Sequence, residues 1–285
     1  RELADEKTAR TESRPETLSG FGVHALAGAV LAGLGNDTLV ARLAGESFSD
    51  RLQRLSYSPF NQYFIIQAMA RSGHYRDALG VIRDCWGGQV AYGGTSFFEV
   101  YRPSWNQILG PNDPVPNNQC GYTSLCHPWS AGVTRWLSGY ALGIRPLTPG
   151  FDSFSVVPHL AGELTWVRGD MPTPHGKISA SFDVLSGACT VVVPRGTVAR
   201  EIALPTGGRP VGTIWVNGQV LLDTAFHEGN GIGGISRTDS YIYLKNVSPG
   251  SYTFQMTFSG DYHPEEIPQV PYHYAITSFS RASTT

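Results

Sequence analysis

The chain has 285 residues, 41% hydrophobic and 15% charged, with 33 Gly and 19 Pro, which describes folded, turn-rich domains and excludes a disordered or coiled-coil chain. At roughly 100–200 residues per domain, two cores are expected. A net charge of −2 without a long basic run argues against a nucleic-acid partner, and no stretch reaches the ~18 consecutive apolar residues of a membrane helix.

Residues 1–17 are polar and charged without an apolar period and are predicted to form a tail or linker. They lack the charged-then-apolar layout of a signal peptide, and because the chain begins at Arg1 rather than Met, removal of a leader or a longer N-terminal region is expected. Val23, Leu26, Ala27, Val30, Leu31 and Leu34 then repeat at helical spacing up to a stop at Gly35-Asn36. A second helix starts at Asp37. Ser58-Pro59 is an N-cap and first-turn pair for a helix running through Ile65, Ile66 and Met69 to Gly73, apolar on most sides. Its partner carries Tyr75, Ala78, Leu79, Ile82 and Trp86 on one stripe and is predicted to stop at Gly87-Gly88. An all-round apolar helix beside a one-striped one suggests the inner and outer layers of an α/α barrel.

After a Pro-, Asn- and Gly-rich loop over 102–122, a last helix carries Trp129, Val133, Trp136, Leu137 and Tyr140 and ends at Gly143. From Phe151 the period becomes two. Ile178, Ala180, Phe182 and Val184 alternate with polar residues, as do Tyr252, Phe254, Met256 and Phe258. Asn217-Gly218 is a strong hairpin signal and Val247-Ser248-Pro249-Gly250 links two more strands. Roughly eight short strands read as an antiparallel β-sandwich. The predicted domains are therefore a tail (1–17), an α/α-barrel part (18–146), a β-sandwich (147–259) and an extended C-terminal tail (260–285).

The His residues are scattered, and neither a His-Glu-x-x-His helix, paired Cys-x-x-Cys, a Gly-x-Ser-x-Gly elbow nor a phosphate-binding Gly-rich loop occurs, so no metal or cofactor is expected. Two segments set a polar group among aromatics: Gly93-Gly94-Thr95-Ser96-Phe97-Phe98-Glu99-Val100-Tyr101, and Ser124-Leu125-Cys126-His127-Pro128-Trp129-Ser130-Ala131-Gly132. Glu99, flanked by Phe97, Phe98 and Tyr101 with Trp105 close in sequence, suits general-base work if it lines a cleft. A helix cap or an ion pair with Arg102 fits it as well. His127 can donate to a sugar hydroxyl or bond backbone at a helix start. Trp129 can stack on a sugar or join Trp136 and Tyr140 in a core. Cys120 and Cys126 are near enough to pair, with free thiols equally compatible. Asn36 and Asn246 head glycosylation sequons, and with the cysteines they lean toward a secreted or extracellular glycoprotein.

These two segments, followed by Gly143-Ile144-Arg145-Pro146-Leu147-Thr148-Pro149-Gly150-Phe151, Val156-Val157-Pro158-His159-Leu160 and Pro172-Thr173-Pro174-His175-Gly176-Lys177-Ile178, resemble the C-terminal region of α-L-rhamnosidases of glycoside hydrolase family 78 over roughly residues 18–260. The resemblance implies a multidomain α and β chain: part of a six-hairpin α/α barrel followed by an antiparallel β-sandwich. It also implies inverting hydrolysis of terminal α-L-rhamnosyl linkages, with Glu99 as general base. An inverting pair stands about 6.5–9.5 Å apart, leaving room for the attacking water. His127, Trp129, Phe98 and Trp105 would be substrate-binding residues. The family usually has Trp where this chain has Phe98. Its general-acid region, well upstream of the base, has no counterpart here. Since a six-hairpin barrel needs about twelve helices and only five or six are legible, the chain is expected to be the C-terminal piece of a longer polypeptide. It would act only when completed by an N-terminal chain or region. A catalytically inactive carbohydrate-binding or scaffold homologue, and a lyase on the same barrel, are the alternatives.

Overall fold

The computed structural model describes residues 22–103 and 124–263. The predicted tail 1–17, residues 264–285 of the predicted C-terminal tail, Trp105 and Cys120 lie outside them. The chain divides into two compact units, the first ending at Trp136 and the second starting at Leu137.

In the first unit α1 (Val23–Leu31) is followed by a 3-10 turn at Leu34–Asn36 and by α2 (Thr38–Ser49), whose N-cap Asp37 accepts bonds from the Leu39 and Val40 amides. α3 (Pro59–Arg71) starts where predicted, with the Ser58 hydroxyl accepting from the Asn61 amide and Pro59 in the first turn. α3 is central: it packs on α1, on α4 (Tyr75–Ile82), on the 3-10 turn Pro128–Ala131 and on α6 (Gly132–Trp136). Ile65, Ile66, Ala68, Met69 and Ala70 of α3 are fully buried, each large apolar side chain adding about 1.5–3 kcal/mol. The approach of α6 to α3 needs Gly132, because a Cβ there would lie 2.4 Å from Tyr63 Cγ.

The predicted stop at Gly87-Gly88 is not observed. α4 runs on through a π-helical stretch, Arg83–Gly87, into α5 (Gly88–Ala91). The two glycines stay helical because Gln89 and Trp86, on either side of them, are buried and bonded. Adding a Cβ at Gly88 would put it 2.2 Å from the Tyr101 hydroxyl, so close approach rather than helix termination explains that glycine.

Among the described residues the second unit contains eleven strands rather than about eight, in two sheets. One is ordered β1 (Ile144–Pro146), β2 (Ser153–Val156), β6 (Val198–Pro205), β10 (Tyr241–Val247), β9 (Ile232–Arg237). The other is ordered β3 (Trp166–Thr173), β4 (Gly176–Asp183), β5 (Ala188–Val193), β11 (Gly250–Phe258), β7 (Val211–Val216), β8 (Gln219–Leu222). The pairing is not wholly antiparallel as expected. β2 and β6 run parallel, because the chain builds β3 to β5 in the other sheet before returning and no hairpin fixes their direction. The hairpin at Asn217-Gly218 is as predicted, with φ of 48° and 82°. Phe154, Ile202 and Leu244 from one sheet and Phe182, Ile214 and Phe254 from the other share one fully buried core.

Candidate active site in the helical unit

The two segments singled out in the sequence are brought together by backbone bonds within the first unit. The Glu99 amide donates to the Ser124 carbonyl at 2.9 Å, and the His127 amide donates to the Phe97 carbonyl at 2.7 Å. The segments thus run antiparallel, and their side chains gather on one loop pair. Glu99 neither caps a helix nor pairs with Arg102. Its Oε2 accepts from the Ser124 amide at 3.0 Å, while the Arg102 guanidinium lies 4.2 Å over the Tyr57 ring. Glu99 is half-buried, and among the described residues its Oε1 takes no hydrogen bond. A carboxylate held by one oxygen, with the other free to accept a proton from water, is geometrically fit for general-base work.

Gln89, which the sequence reading did not name, and Trp86, read there only as part of a helical stripe, pin this loop pair. Gln89, 3% exposed, accepts the Phe98 amide on its Oε1 at 2.9 Å and donates its Nε2 to the Cys85 carbonyl at 3.3 Å. Trp86 donates its indole N–H to the Ser130 carbonyl at 2.9 Å. Both emerge at or just after the π-helical stretch, a winding that shifts side-chain directions and recurs at functional sites. The signal was present as buried-type residues around Gly87-Gly88, but the glycines read as a terminator.

The aromatic residues divide into wall and surface. Phe98 is buried, edge-on to Tyr92 at 6.1 Å. Trp129, which shares a helical stripe with Trp136, does not join the core: Trp136 is fully buried with its indole bonded to the Ile66 carbonyl, while Trp129 is 69% exposed. Its ring lies 5.7 Å from Phe60 and 5.7 Å from His127, and Phe60 meets Phe64 at 5.3 Å. Phe60 and Phe64, one turn apart at the start of α3, thus extend the aromatic patch; their spacing was legible but resembled core packing. An exposed ring surface on the same pair of segments as a carboxylate fits the apolar face of a sugar ring.

The remaining predicted positions are simply placed. Cys126 is exposed with a free thiol, and its candidate partner Cys120 lies outside the described residues. Cys85 is buried, and burial pushes its thiol up to about 12, which disfavours the reactive thiolate. Asn36 and Asn246 are exposed. Among the described residues no group of three or more His, Cys, Asp or Glu side chains is arranged to hold a metal. No described helix is long and apolar enough to cross a membrane.

Comparison with known proteins supports the resemblance to the C-terminal part of rhamnosidases. Residues 143–214 match the family model described as the bacterial alpha-L-rhamnosidase C-terminal domain. The chain is 27% identical over 177 residues to an alpha-L-rhamnosidase of Formosa agariphila, covering 61% of this chain and 17% of that protein. It is 34% identical over 76 residues to an alpha-L-rhamnosidase of Alteromonas sp., covering 27% of this chain and 8% of that protein. The fold is shared with the alpha-L-rhamnosidase of Dictyoglumus thermophilum at a TM-score of 0.66 and 16% identity, over 83% of this chain and 25% of that one. It is also shared with the Streptomyces avermitilis alpha-L-rhamnosidase, solved with L-rhamnose, at a TM-score of 0.61 and 20% identity, over 81% of this chain and 21% of that one. The chain therefore spans only a small part of each relative's length.

Proposed function

We propose that this chain is the C-terminal portion of an inverting glycoside hydrolase that removes terminal α-L-rhamnosyl residues, with Glu99 as general base. The observation that carries the reading is the bond from the Ser124 amide to Glu99 Oε2, which leaves Oε1 without a hydrogen bond among the described residues, on a pair of segments that also bears the exposed Trp129. In this mechanism Oε1 takes a proton from a water as that water attacks the anomeric carbon. The bond to the leaving oxygen breaks, and a second carboxyl group protonates that oxygen. That acid is assigned to an N-terminal region or chain, which would also complete the α/α barrel of which the first unit's helices are a part.

The substrate roles follow from chemistry. Trp129 offers a face to the sugar, His127 offers a ring nitrogen to a hydroxyl, and Phe98 closes the apolar wall without the indole donor usual at that position. Trp105, which lies between the two segments in sequence, is assigned to the same sugar site by the resemblance alone. Secretion belongs to the reading on the strength of the two exposed sequons.

The test uses the protein completed by its N-terminal region and a para-nitrophenyl α-L-rhamnoside. Glu99→Gln is expected to lower kcat by about 10²–10⁴, and proton NMR of the first product should show the inverted, β anomer of rhamnose. An unchanged kcat would remove Glu99 from the chemistry, and an α product would remove inversion.

A further inference from the structure

In the second unit a cavity of about 270 Å³ opens between the β6–β7 connection and the β9–β10 turn, its lining including Arg209, Pro210, Val211, Arg237 and Asp239. Its size is near the lower end of the ~300–1,000 Å³ of small-ligand sites, room for one sugar ring rather than a chain. Arg209 is held rigidly at this site. Its guanidinium lies 3.7 Å over the Phe258 ring and 5.6 Å from that of Tyr262, its Nε donates to the Thr206 carbonyl at 3.2 Å, and one terminal nitrogen donates to the Val184 carbonyl. The other terminal nitrogen takes no hydrogen bond among the described residues.

Neither Arg209 nor Arg237 forms an ion pair among the described residues, although Arg209 is half-buried. Withdrawing a cation from water without a carboxylate partner is unfavourable, so a preorganised guanidinium of this kind is suited to a planar anion from outside. Asp239, exposed on the rim, adds a charge that disfavours dianions such as phosphate or sulfate and accepts from hydroxyl pairs. Pro210 and Val211 supply an apolar side for the C–H face of a ring.

We propose that this cavity binds a uronic-acid residue of a glycan, its carboxylate on Arg209 and Arg237, its hydroxyls on Asp239 and its ring against Pro210 and Val211. The assignment does not depend on the role given to Glu99. It is tested by titrating the isotope-labelled chain with methyl glucuronide, methyl glucoside and inorganic phosphate while following the amide NMR signals of Gly208, Val211 and Thr238. Saturable shifts with the glucuronide are expected, with affinity at least about tenfold weaker for the glucoside. Arg237→Gln, at an exposed position that does not support the fold, should weaken the glucuronide by about tenfold. No saturable shift, equal binding of the glucoside, displacement by phosphate at equal concentration, or unchanged binding in Arg237→Gln would each overturn the proposal.

Discussion

In the β unit Phe154, Phe182 and Phe254 are fully buried across a core shared by both sheets, while in the helical unit Tyr57, Phe64 and Trp129 remain 56%, 41% and 69% exposed. The helical unit thus keeps part of its aromatic set at the surface, although others such as Trp136 fill a core as the phenylalanines of the sandwich do. The units also hold their loops differently. In the sandwich the ladders of backbone bonds end in tight turns, whereas in the helical unit buried polar side chains do the fastening: Gln89 and Trp86 to the candidate site loops, and Gln62 to the Ser56 amide at 2.6 Å and the Arg54 carbonyl at 3.0 Å. At the candidate site these side chains act beside the two backbone bonds that join the segments, and Glu99 is held through one of its carboxylate oxygens.

The comparison is broken most forcefully from the sandwich side. Phe254→Ala deletes a ring at the centre of the shared core and is expected to cost about 3–5 kcal/mol, read as a lower urea midpoint for the β unit. A cost below about 1 kcal/mol would mean that the core closes around the gap and that its aromatics are less important than their burial implies.

A smaller effect separates the units by pH. His159 in the β unit is buried, its Nδ1 3.1 Å from the Tyr140 carbonyl and its ring edge-on to Tyr241 at 6.4 Å. Burial pushes its pKa down to about 3; the bond to the Tyr140 carbonyl works upward and the Arg145 charge works downward. An unfolded histidine titrates near about 6.5. Between those values the unfolded chain binds a proton that the folded chain does not, so the contribution is complete above about 6.5 and is lost as pH falls toward 3. Urea midpoints taken from about pH 7 down to about pH 4.5, above most carboxylate titration, should decline with a slope approaching 1.4 kcal/mol per pH unit. His159→Gln should flatten that slope, and a variant declining in parallel with the parent would assign the dependence to other groups.

What the sequence made legible follows the same division. Alternation at period two located Gly176–Asp183 and Gly250–Phe258 because each buries one face against a single core. The strands missed were those whose pattern is too short or too glycine-rich to alternate, such as Ile144–Pro146 and Ile232–Arg237. In the helical unit caps and periodicity placed α2 and α3. The continuation past Gly87-Gly88 was hidden, since nothing local shows that Tyr101 occupies the space beside Gly88. Glu99 and His127 could be named from their aromatic neighbours and the family resemblance. Gln89 and Phe60 could not, because a buried glutamine and a helical phenylalanine look alike in sequence whether they hold a loop, line a surface or fill a core.

The finest distinction concerns Trp129, whose place on a helical stripe with Trp136 gave it two readings. Trp136, fully buried, belongs to the core, and its truncation would unfold the unit. Among the described residues Trp129 makes no hydrogen bond, and its ring meets those of Phe60 and His127. Removing it should leave the urea midpoint of the helical unit within about 0.5 kcal/mol of the parent. On the proposed function, in the chain completed by its N-terminal region, loss of a stacking face worth about 0.5–1.5 kcal/mol should raise KM for an aryl rhamnoside about threefold to tenfold with kcat little changed. A fall in stability with unchanged KM would make Trp129 a support for the loop pair, and the contrast between buried and exposed aromatics would then no longer mark the sugar site.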